Sequence, residues 1–158
     1  MINPVKSKWK RSIIFKQFSE NIHFGTNSPR ACFEWTMSQF NLHPALVLIV
    51  EDEVLVRTCI AAELEEAGFA VIEAANAVDA MHEFEADDRV TTVFTDINMP
   101  GAFDGLSLAH KIFKLRPTVQ LILTSGRGKP LVSEMPAGVH FLPKPYEYRS
   151  LTALIHAA

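Results

Sequence analysis

From about Ala45 onward, the apolar positions of this chain fall into two alternating patterns. Short, nearly unbroken runs recur: Leu46-Val47-Leu48-Ile49-Val50, Ala70 to Glu73, Thr91-Thr92-Val93-Phe94-Thr95, Val119 to Leu123 and Val139-His140-Phe141-Leu142. Runs of this length, rich in β-branched residues, suit strands buried on both faces of a sheet. Between them apolar residues return at helical spacing. Val56, Ile60 and Leu64 make one face of a helix over about Glu53–Ala67, stopped by Gly68. Asn76 is placed to cap a second helix, with Asp79 in its first turn and Ala80, Met81 and Phe84 on its apolar side. Asp104 is placed to cap a third, in which Leu106, Leu108, Ala109, Ile112 and Phe113 face inward. Arg116-Pro117 ends that helix, because the residue before proline disfavours α geometry. A last helix is expected from about Glu147 towards Ala157.

Strands alternating with helices predict βαβ units and a doubly wound α/β fold around a five-stranded parallel sheet. One connection breaks the pattern. Ser125-Gly126-Arg127-Gly128-Lys129-Pro130, followed by Leu131 to Pro136, holds two glycines and two prolines. That leaves room for a turn or so of helix, so the fourth helix is expected to be short or absent. The Gly-Arg-Gly-Lys stretch lacks P-loop spacing and does not open a good helix.

Residues 1–44 lie outside this alternation. Trp9, Ile13, Ile14, Phe18 and Ile22 give Lys8 to Phe24 some amphipathic character. The expected organisation is an N-terminal extension over 1–44, poorly ordered or one extra helix, and one domain over 45–158. Met37 stands eight residues before the first strand and is a candidate alternative start.

Charge sharpens this division. The net charge is −3, yet residues 1–44 carry six basic and two acidic residues, or +4, which leaves −7 for the remainder. An acidic body argues against nucleic-acid binding and suits a domain that gathers carboxylates around a cation. No apolar run approaches the roughly 18–20 residues of a membrane span. Cys32 and Cys59 form no CxxC pair and suggest reduced thiols in a cytoplasmic protein. The six histidines show no metal-ligand spacing.

The candidate chemistry lies where the strands end. Glu51-Asp52-Glu53 follows the first run, Asp96 the third, Thr124-Ser125 the fourth and Lys144 the fifth. Open α/β sheets place their chemistry at the carboxyl ends of strands. Taken singly, each residue has a plainer reading as a turn acid, a loop hydroxyl or a solvated lysine. Arg127 and Lys129 read as solvated loop charges.

Four stretches in order, Val47-Leu48-Ile49-Val50-Glu51-Asp52-Glu53, Thr95-Asp96-Ile97-Asn98-Met99-Pro100-Gly101, Leu121-Ile122-Leu123-Thr124-Ser125-Gly126 and Phe141-Leu142-Pro143-Lys144-Pro145-Tyr146, resemble the receiver domain of two-component response regulators. The resemblance covers roughly Ala45 to Ala158. It implies a flavodoxin-like sheet of strand order 2-1-3-4-5, which sets the first and third strands side by side. Glu51, Asp52 and Asp96 would then share one crevice, where their mutual repulsion calls for a hard cation such as Mg2+.

By the same resemblance, Asp96 is the phosphoacceptor and the Asn98 backbone carbonyl a further metal ligand. Lys144 is the charge that meets the phosphoryl group, before a Lys-Pro step that is often cis in the family. Thr124 and Phe141 are the pair whose movement forms the switch. The implied partners are a sensor histidine kinase or histidine phosphotransfer protein, and a downstream protein. The expected function is a stand-alone, phosphorylation-activated switch with intrinsic phosphotransfer and autodephosphorylation, not a turnover enzyme. Two rivals stay open. One is a Mg2+-dependent phosphatase with an aspartyl nucleophile, which usually has an acid where Asn98 stands. The other is a pseudo-receiver that is never phosphorylated.

Overall fold

A computed structural model describes residues 44–157. Its strands are β1 (Leu46–Val50), β2 (Ala70–Ala74), β3 (Val90–Asp96), β4 (Gln120–Ser125) and β5 (His140–Pro143). They form one parallel sheet in the order β2-β1-β3-β4-β5. The helices are α1 (Val54–Glu66), α2 (Ala77–Ala86), α3 (Gly105–Leu115) and α4 (Tyr148–His156).

Side chains alternate across the sheet, and each face carries its own core. Leu46, Leu48 and Val50 of β1 point to the side packed by α2 and α3, with Phe84, Val93, Leu108, Ile112 and Leu123. Val47 and Ile49 point to the other side, with Ile60 and Leu64 of α1, Phe94, Ile122, and Leu151 and Ile155 of α4. Burial on both faces is why the central strands read as continuous apolar runs.

The helix termini follow local chemistry. The Asn76 side chain accepts the N–H groups of Val78 and Asp79, and Asp104 accepts that of Ser107, so two orphan amide sets are satisfied. Helix α3 stops at Arg116, before Pro117. The Arg116 guanidinium stacks on the Phe84 ring, 3.5 Å from its centroid, and donates to the carbonyls of Phe84 and Asp88.

Boundaries shift slightly from the sequence expectation. Strand β3 takes in Val90, which pairs with Leu46 across a shift in register, and Asp96, which pairs with Thr124 of β4. Strand β5 runs one residue later, since Pro143 still pairs with Ser125. Between β4 and β5 the only helix is a three-residue 3-10 turn, Val132–Glu134. The Glu134 carboxylate accepts the Leu131 N–H, and His110 of α3 bonds the Glu134 carbonyl at 2.8 Å. The expected amphipathic segment Lys8 to Phe24, and the start at Met37, lie outside the described residues. Among those described, no helix is long and apolar enough to cross a membrane.

Candidate functional site

Strand order does the positioning. With β1 beside β3, the residues after Val50 meet the last residue of β3 at the carboxyl edge of the sheet. Carboxylate oxygens of Glu51, Asp52 and Asp96 lie within 4.8 Å of one another there. Glu51 is 1% exposed and Asp96 7%, while Asp52 is half-buried.

The backbone of Glu51 is held on both sides. Its N–H donates to Ala74 at 3.2 Å, and its carbonyl accepts Arg57 Nη1 at 2.5 Å. Arg57 also pairs with Glu73 at 3.4 Å, tying α1 to β2. Asp96 is fixed by the turn that follows it: Oδ1 accepts the Asn98 N–H at 2.9 Å. Helix α3 begins against the Asp96 backbone, where a Cβ at Gly105 would collide with the Asp96 carbonyl and lie 2.8 Å from Thr95 Oγ1.

Lys144, just past β5, reaches both acids. Its Nζ donates to Glu51 Oε2 at 2.7 Å and to Asp96 Oδ2 at 2.6 Å. Burial works against the charged lysine, but the bonds to Asp96 and Glu51 outweigh it and raise its pKa. Burial also pushes the Glu51 carboxyl pKa up, with Asp96 adding to the effect, despite the opposing pull of Lys144. One ammonium thus faces three carboxylates, and the site stays short of positive charge. Glu51 Oε1 is buried with no hydrogen-bond partner. Buried carboxylate oxygens normally find a donor or a cation. The donor set is all oxygen, with no histidine or cysteine in the cluster, which fits a hard cation better than a soft one.

The remaining residues singled out from the sequence lie around this cluster. The Thr124 hydroxyl is fully buried and donates to the Leu142 carbonyl at 2.7 Å, across β4 and β5, so it is turned away from the acids. Phe141 is half-buried against the α2–α3 core, with Lys129 Nζ 6.0 Å from its ring centroid. Asn98 is exposed, and its side-chain amide donates to Ser125 Oγ at 2.6 Å. The Lys144-Pro145 peptide is cis.

Two residues have a place at the site for which the sequence gives no role. Arg57 carries no signal beyond being a cation on the first helix. Ser125 looks like a loop hydroxyl beside Thr124, and only the folded loops reveal its partners.

Residues 47–156 match the family described as the response regulator receiver domain, and the chain belongs to that family. Sensor kinase CckA of Brucella abortus (strain 2308) is 34% identical over 115 residues, 70% of this chain and 12% of that protein. A putative NtrX-like response regulator of Rickettsia felis (strain ATCC VR-1525 / URRWXCal2) is 34% identical over 116 residues, 71% of this chain and 24% of that protein. The chain thus spans less than a quarter of the length of either relative. The crystal structure of a response regulator receiver domain protein from Clostridium thermocellum superposes with a TM-score of 0.67 at 26% identity, covering 72% of this chain and 92% of the other.

Proposed function

We propose that this chain is a phosphorylation-controlled switch in which Asp96 accepts a phosphoryl group from a phosphohistidine. The donor would be a sensor histidine kinase or a histidine phosphotransfer protein in the cytoplasm. The observation that carries this reading is Glu51 Oε1, a buried carboxylate oxygen without a partner inside a three-acid cluster. Glu51, Asp52, Asp96 and the backbone carbonyl of Asn98 would hold Mg2+. That ion, when bound, shields carboxylate from phosphate and supplies positive charge to phosphoryl oxygens.

The chain's own groups do the rest. The Asp96 carboxylate attacks phosphorus in line; the P–N bond breaks, the imidazole leaves, and an acyl phosphate forms on Asp96. The Asn98 N–H, 2.9 Å from Asp96 Oδ1, orients the carboxylate. Lys144, already bonded to Asp96, would turn to an oxygen of the incoming phosphoryl group. The Thr124 hydroxyl would then leave the Leu142 carbonyl for the phosphate, and Phe141 would follow. The surface around β4 and β5 changes as a result, which is the signal read by a downstream protein. Water later hydrolyses the acyl phosphate, so the chemistry resets a switch and does not turn over a metabolite.

Intact mass after incubation with acetyl phosphate and Mg2+ tests the assignment. One added phosphoryl group, labile to hydroxylamine, is expected on the native chain and none on Asp96→Asn. Undiminished labelling of Asp96→Asn would overturn it.

A further inference from the structure

Ser125 is the last residue of β4 and only 3% exposed, yet its polar atoms serve three separate segments of the site. Its carbonyl accepts the Lys144 N–H at 3.0 Å, which fixes the backbone that carries the lysine. Its hydroxyl oxygen accepts the Arg127 N–H at 3.0 Å, which shapes the start of the β4–β5 connection. The same oxygen accepts the side-chain amide of Asn98 at 2.6 Å. Asn98 in turn donates its backbone N–H to Asp96 Oδ1. A chain of bonds therefore runs from β4 through Asn98 to the carboxylate at the centre of the site. The Asn98–Ser125 bond is the only side-chain to side-chain hydrogen bond between the β3–α3 loop and β4 among the described residues.

We infer that Ser125 is a positioning residue, which latches Asn98 across the mouth of the site and so fixes the Asp96 carboxylate for phosphoryl acceptance. The inference rests on the phosphoacceptor reading above and adds a residue to it. The physical case is that Asn98 is exposed and stands in a loop, where nothing else among the described side chains restrains its amide. Without the latch, the Asn98 peptide samples other orientations, and its N–H is less often aligned with Asp96. Reactions held in one geometry lose rate when that geometry is only partly populated. Breaking β4 is not required, because the strand's backbone pairing to β3 and β5 does not involve the Ser125 hydroxyl.

A double-mutant cycle on the rate of labelling by acetyl phosphate with Mg2+ tests the latch. Ser125→Ala and Asn98→Ala should each slow labelling by roughly two- to tenfold, the effect of one net hydrogen bond on a rate. The double variant should be no slower than the slower single one, because both changes break one bond. Ser125→Thr, which keeps the hydroxyl, should label faster than Ser125→Ala. A loss of packing alone would not couple to Asn98, which is exposed. Single effects that multiply in the double variant, or an unslowed Ser125→Ala, would overturn the latch while the native chain still labels at Asp96. Failure of the native chain to label at all would instead overturn the phosphoacceptor reading, and the latch with it.

Discussion

At the scale of single residues, the site sets burial against charge. Glu51 is almost completely enclosed, and its pKa is raised mainly by that burial. A folded carboxyl with a raised pKa binds more protons than its unfolded counterpart between the two pKa values. Stability from this group therefore falls as pH climbs through that window and stays lower above it. Glu51→Gln removes the buried charge and leaves an oxygen able to accept from Lys144. The metal-free variant should melt higher than the native chain at neutral pH, and the gap should close as the pH drops and native Glu51 takes up its proton. Mg2+ should reverse the order, since the native chain then gains binding energy that Glu51→Gln lacks. Thermal melts at two pH values, with and without Mg2+, read all of this. A Glu51→Gln variant that melts lower than native without metal would show that the Lys144 pair outweighs the burial.

Elements show where sequence reasoning reaches and where it stops. Strands β1, β3 and β4 were legible because burial on both faces keeps them rich in apolar and β-branched residues. The caps Asn76 and Asp104 were legible because capping needs only a short polar side chain before an apolar run. The reduced helix between β4 and β5 was legible from Gly126, Gly128, Pro130 and Pro136. The acids and the lysine could be placed because strand ends converge once strand order is known. Ser125, Arg57 and the direction of the Thr124 hydroxyl could not, because each depends on which loop atoms meet in three dimensions. Gly105 belongs to the same class. As the first residue of α3 it forfeits up to about 1 kcal/mol of helix propensity relative to alanine. Yet a Cβ there would run into the Asp96 carbonyl. Overpacking of that kind costs about 1–3 kcal/mol, so the clash should win and Gly105→Ala should lower the denaturation midpoint. A midpoint that rises would mean that α3 can step back from β3 freely. The β4–β5 segment carries a second expectation. Thr124→Ala should still accept phosphate, but beryllofluoride should alter hydrogen exchange around Phe141 less than in the native chain. An identical response in both would exclude Thr124 as the switch.

At the scale of the molecule, the two core clusters of the described residues lie between Ala45 and Ile155. The site spans Glu51 to Lys144, and the family match runs from 47 to 156. Residues 1–36 hold all the charge of the N-terminal segment, six basic and two acidic side chains, so a variant beginning at Met37 carries −7 where the full chain carries −3. That change is electrostatic and long-ranged. The shortened variant is expected to unfold in a single cooperative transition and to accept one phosphoryl group from acetyl phosphate. Its greater net charge of one sign adds self-repulsion, which salt screens over about 10 Å at 0.1 M. Its melting temperature should therefore rise more steeply with ionic strength than that of the full chain. Equal salt responses would mean that the added repulsion is too diffuse to matter. An insoluble or unlabelled variant would mean that Trp9, Ile13 and Phe18 complete the domain, and that the boundary lies well upstream of Ala45.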